Sequence, residues 1–165
     1  MSNLKTFYLW YAEEGIKTNI LEAGASSLQK LIFISKRNEN TLGIKLLKLK
    51  HFIATLSSWC KEMIMLNSET LEYIALEVAS YDELADLPES DFPALKQIFV
   101  DCRPNVGVTN LDNVESDLTN AKAVLLSKYP HVHVHFVDIS HSLSKHVPDF
   151  LKNEALGYNF LKKKL

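Results

Sequence analysis

The chain has 165 residues, 47% hydrophobic and 23% charged, with 18 Lys+Arg against 20 Asp+Glu. That size and apolar content fit one globular domain and exclude a disordered chain, and five Gly and five Pro exclude a fibre. No run approaches the ~18 apolar residues of a membrane helix, and a net charge of −2 argues against wholesale nucleic-acid binding while leaving a local patch open.

In chain order, Thr6-Phe-Tyr-Leu-Trp-Tyr11 is β-rich and is closed by the turn signal Ala12-Glu-Glu-Gly15. Ile16 to Gly24 fits either a returning hairpin strand or a short helix. Lys30-Leu-Ile-Phe-Ile-Ser35 is a short continuous apolar block, the pattern of a strand buried on both faces. From Thr41 to Leu66 the period changes. Leu42, Leu46, Leu49, Ile53, Leu56, Cys60 and Met63 form a stripe with helical spacing, widened by Leu47, Phe52, Trp59 and Leu66, which predicts one long helix. Glu72 to Ala79 fits a helix face or a strand. Ser80-Tyr-Asp-Glu83 has the layout of a capping box, and Pro88 and Pro93 bracket a loop.

The clearest unit follows. Gln97 to Cys102 predicts a strand, Asp112 and Glu115 open a helix ending at Tyr129-Pro130, and His131 to Asp138 predicts the next strand. Strand, helix and strand in about 40 residues imply parallel pairing through a right-handed crossover. A short helix near Pro148, a last strand at Tyr158 to Leu161 and a Lys162-Lys-Lys164 tail complete the reading. The internal repetition read from the sequence is limited to the paired Phe-Val-Asp runs of the two strands.

Several constellations carry candidate chemistry. Asp101 and Asp138 each close a Phe-Val-Asp run at the carboxyl end of a predicted parallel strand, the edge where open α/β sheets bind ligands. His131, His133 and His135 alternate along one strand, and a His-x-His pair is a candidate metal ligand set if another element completes it. Cys60 and Cys102 fit buried thiols better than nucleophiles or a disulfide framework. The polar start Met1–Lys5 lacks the layout of a signal peptide, so the cytoplasm is the expected compartment. No Gly-rich phosphate loop, Gly-x-Ser-x-Gly or His-Glu-x-x-His is present. Charge is polarised: Lys30 to Lys50 is net +5 and Asp82 to Asp117 is net −7.

Four segments together resemble the receiver domain of two-component response regulators. Glu77-Val-Ala-Ser-Tyr-Asp-Glu-Leu-Ala-Asp-Leu is similar to its second strand's end and second helix. Ile98-Phe-Val-Asp-Cys-Arg-Pro104 is similar to its third strand, with Asp101 in the phosphoacceptor position. Leu125 to Val137 is similar to helix three and strand four, and Ala155-Leu-Gly-Tyr-Asn-Phe-Leu-Lys162 to the closing segment. The resemblance implies a three-layer, flavodoxin-like α/β domain over residues 26–165, with a mainly parallel central sheet and residues 1–25 as an N-terminal extension. Its pocket would gather Ser35, Lys36, Asp138, Ser140 and Lys162 around Asp101. Ser35 and Lys36 stand where working receivers carry the acidic pair that binds magnesium, so metal-dependent phosphorylation is not expected.

The expected function is a non-enzymatic signalling or regulatory module, such as the regulatory part of a transcription regulator. It would need no cofactor and would act through a protein partner or a second copy, not a membrane. Tyr8, Trp10, Phe52 and Trp59 are the interface candidates. The alternative is a metal-dependent hydrolase or nuclease built on Asp101, Asp138 and the strand histidines.

Overall fold

A computed structural model describes residues 4–10, 14–34, 43–102 and 111–137. Six apolar runs form strands: β1 (Thr6–Trp10), β2 (Lys30–Ile34), β3 (His51–Thr55), β4 (Tyr73–Val78), β5 (Gln97–Cys102) and β6 (His133–Val137). Between them lie α1 (Glu14–Gly24), α2 (Ser58–Leu66), a 3-10 helix (Tyr81–Asp86) and α3 (Leu111–Lys128). All six strands are parallel in one sheet. The α/β class and the central parallel sheet are as the sequence predicts, and so is the strand-helix-strand unit of β5, α3 and β6.

The strands lie side by side in chain order. Right-handed crossovers between strands in sequential order all return over the same face. The core accordingly sits on that face. Leu21 of α1, Trp59 and Met63 of α2, Leu84 of the 3-10 helix and Leu125 of α3 pack on Leu31, Phe33, Phe52, Ile74, Leu76, Ile98 and Val100. The region 1–25 supplies the first strand and helix of this same sheet.

The unit repeats. Thr6 pairs with Lys30, Lys30 with His51, His51 with Tyr73, Tyr73 with Gln97 and Gln97 with His133, steps of 24, 21, 22, 24 and 36 residues. Aligned on that register, Leu4, Leu28, Leu49, Leu71 and Leu95 are equivalent, followed three residues on by Phe7, Leu31, Phe52, Ile74 and Ile98. The backbone repeats as well. Lys5 O accepts from the amides of Gln29 and Lys30, Gln29 O from Lys50 and His51, Lys50 O from Glu72 and Tyr73, and Glu72 O from Lys96 and Gln97. The sequence reading, limited to the two Phe-Val-Asp runs, misses this repeat. Those two runs are in fact one residue out of register, since Asp101 pairs with Val137.

The long helix expected over Thr41–Leu66 is replaced by β3 and α2. From Phe52 to Leu56 every residue is buried, which one stripe of a helix does not achieve but a strand covered on both faces does. Ser57 then caps α2, its Oγ accepting from the Cys60 amide at 3.1 Å. Leu46 and Leu49, read as helical, line the preceding irregular stretch and are fully packed. Asn67 holds that stretch: its Oδ1 accepts from the Leu46 amide at 2.7 Å, and its Nδ2 donates to Ile44 O and Met63 O. The expected capping box is displaced by one residue. Glu83 accepts from the Ala79 amide at 3.3 Å, while Ser80 makes no side-chain cap.

The longer connection after the 3-10 helix is tied to the end of α3. Lys128 Nζ donates to Leu87 O at 2.8 Å and Tyr129 Oη to Pro88 O at 2.6 Å. No helix among the described residues is long and apolar enough to cross a membrane.

Candidate binding face

Alternation along each strand sends every second side chain to the face opposite the core. Across the sheet these side chains form rows. The first row is Thr6, Lys30, His51, Tyr73, Gln97 and His133; the second is Tyr8, Ile32, Ile53, Ala75, Phe99 and His135. Their apolar members form small clusters separate from the main core: Ile32 and Ile53 with Ala75, and Phe99 with Tyr73 and Ala75. Every described helix contributes to the other face.

Rings lie along this face, where Ile32, Ile53 and Phe99 are themselves buried and the first row is partly exposed. His51 lies against Tyr73 with centroids 4.9 Å apart, and Phe99 stacks on His135 at 4.7 Å and 23°. Burial, reinforced by His133, lowers the His135 pKa below the usual imidazole value; burial and the neighbouring Lys30 do the same for His51. Both imidazoles are therefore held toward the neutral form. His135 Nε2 and Gln97 Oε1, on adjacent strands, are buried with no hydrogen-bond partner among the described residues. Such unmet atoms carry a cost that a water or a ligand donor relieves.

A charge cluster borders the face at the amino ends of the central strands. Glu72, just before β4, pairs with Lys50 at 2.9 Å and Lys96 at 2.8 Å. Hydrogen bonds from Lys96 and then Lys50 hold its carboxyl down at about 2. Lys96 also lies 5.9 Å over the Tyr73 ring.

At the opposite edge, Asp101 pairs in register with Glu77, which is buried. The receiver register needs the Lys30 strand beside the Gln97 strand. Here β3 and β4 stand between them, three steps of ~4.8 Å or about 14 Å. The strand leading to Ser35 and Lys36 is thus not a neighbour of Asp101; Ser35, Lys36, Asp138, Ser140 and Lys162 themselves lie outside the described residues, as do the predicted helix near Pro148 and the strand at Tyr158.

The histidine row is shorter than expected. His131 precedes β6 in a turn, and only His133 and His135 share the strand's outer face. Among the described residues no group of three or more His, Cys, Asp or Glu is placed to hold a metal ion. Phe52 and Trp59, read as interface candidates, are core residues at 0% and 2% exposure, with Trp59 against Phe33 at 4.3 Å and Phe52 at 6.1 Å. Tyr8, at 54%, is exposed, and Trp10 closes the same strand. Burial pushes the Cys60 thiol up to about 12, far from the reactive range. The sequence reading missed the face itself, whose signal is the register of the repeat.

Comparison with family models, with curated proteins and with solved structures finds no match.

Proposed function

We propose that the chain is a protein-binding module, a short solenoid of the leucine-rich type that presents its strand face to a partner. The observation that carries this reading is the in-register row Thr6, Lys30, His51, Tyr73, Gln97 and His133, ring and polar side chains that keep part of their surface exposed on the face where none of the described helices packs. A strand followed by a helix or 3-10 helix, recurring every 20–29 residues or so on a Leu-x-x-Leu-x-Leu frame, is the general plan of leucine-rich solenoids. Such stacks use their strand surface for recognition because it is rigid, extended and built from side chains that vary without disturbing the core. Rings of the kind found at His51 and Tyr73 suit a protein partner, where large rigid side chains supply most of the contact energy.

Site-specific photo-crosslinking tests this reading. A benzophenone amino acid replaces Thr6 or His133, exposed on the strand face, or Leu126, exposed on α3. In extracts of the source cells, the face positions are expected to capture one discrete protein that excess unlabelled chain competes away. Equal capture of that protein from Leu126, or no competable product from either face position, contradicts the proposal.

A further inference from the structure

The outer edge of β1 is a further surface with directional binding capacity. Lys5 O accepts from the Lys30 amide of β2. In a parallel pair the peptide groups alternate sides from one residue to the next. Phe7 and Leu9 therefore face β2, and the N–H and C=O of Thr6, Tyr8 and Trp10 face outward. Among the described residues no strand pairs with that edge.

Sheet edges are ordinarily protected by charge, proline, a bulge or a covering segment. Thr-Phe-Tyr-Leu-Trp has no charge, no proline and no glycine, and Tyr8 is 54% exposed.

We infer that β1 pairs antiparallel with β1 of a second copy of this chain, about a two-fold axis at Tyr8. In that register Tyr8 faces Tyr8 as a hydrogen-bonded pair, each donating to the other's carbonyl, and Thr6 faces Trp10 with the same exchange. Every outward donor then meets an outward acceptor. A strand without charge meets its own copy with no like-charge opposition, whereas a charged partner segment gains nothing from it. The two-fold axis runs perpendicular to the sheet, so the strand faces of both copies stay on the same side. The exposed Tyr8 side chains come together at the centre of one continuous twelve-strand face. Two five-residue strands bury less than the ~1,200–2,000 Å² of a standard interface, so the dimer is a weak one that forms with rising concentration.

Sedimentation of the full chain from micromolar to near-millimolar concentration tests this. The weight-average mass is expected to climb from one chain toward two. Tyr8→Phe keeps the dimer, Tyr8→Lys weakens it at least ~10-fold, and Tyr8→Pro, which removes an outward N–H and leaves the bonds to β2, abolishes it. Circular dichroism establishes that each variant is folded. Amide exchange on the unmodified chain provides a readout independent of any variant. Thr6, Tyr8 and Trp10 become protected on concentration, while Phe7 and Leu9 are protected throughout. A monomer at every concentration, a dimer that folded Tyr8→Pro leaves intact, or outward amides already protected in dilute protein overturns the inference; the last outcome means another segment occupies the edge.

Discussion

Asn67 shows how much of this fold depends on single polar side chains. It is buried, and its amide meets three backbone groups, on Ile44, Leu46 and Met63, two of them more than 20 residues away. Removing the side chain strands the Leu46 amide and the Ile44 carbonyl in a packed interior, at ~1–3 kcal/mol for each that finds no water, while Met63 O keeps the backbone amide of residue 67. Asn67→Ala is expected to lower stability by about 3 kcal/mol in all, since the two costs overlap. Urea denaturation measures it. A loss below ~1 kcal/mol would mean that water replaces the amide. In the sequence, Asn67 stands between Leu66 and Ser68 and reads as an ordinary helix end; its distant partners leave no local trace. Phe52 and Trp59 misled in the opposite direction. Placed on a single helix they look like surplus aromatic surface, whereas a strand buried on both faces and a separate helix place both in the core.

At the scale of elements, legibility followed the regularity of the period. β5, α3 and β6 keep clean alternation or clean helical spacing, bounded in the sequence by the Pro-, Gly- and Asn-bearing stretch 103–110 and by Pro130, and they were readable with their pairing. The stretch Thr41–Leu66 was not. Leucines of an irregular segment, a strand and a helix happen to fall at spacings of three and four, and the Ser57 cap that separates strand from helix is one hydroxyl among many. Glu72 ties three of these elements together, because its partners Lys50 and Lys96 stand before β3 and β5. Its carboxyl is held at about 2, below the ~4.3 of an unfolded chain. Its stabilisation is therefore complete above the unfolded value and is lost as pH falls through the folded one. Both lysines are well exposed, so Glu72→Gln is expected to cost only ~0.5–1 kcal/mol at neutral pH. That difference from the natural chain should shrink between pH ~4 and 2 and with added salt. Thermal melts across that range measure it, and a difference that ignores both pH and salt would point to packing in place of charge.

Across the whole molecule, the decisive feature is one the sequence conceals. The repeat varies its residues among Leu, Phe, Ile, Ala and Val and its length from 21 to 36, so no fixed period survives, and strand order has no local signature at all. The α/β class was readable from the βαβ unit; the chain-order stacking was not. Stacking of that kind has a mechanical consequence. Among the described residues each strand pairs only with its neighbours in the chain, so stability is expected to be close to a sum of local and nearest-neighbour terms. Phe7 lies in β1, at the end of the stack, half-buried against the core, while Phe52 lies in β3, between two repeats and beside Trp59. Phe52→Ala is expected to cost about 3–5 kcal/mol and to reduce amide protection in β2, β3, β4 and β5 together. Phe7→Ala should loosen β1 and α1 while leaving β5 and β6 as slow to exchange as before, because among the described residues β1 pairs with β2 alone. Native-state hydrogen exchange resolves the two patterns strand by strand. If Phe7→Ala lowers protection in β6 as much as in β1, the sheet unfolds as one cooperative block and the nearest-neighbour account of this molecule fails.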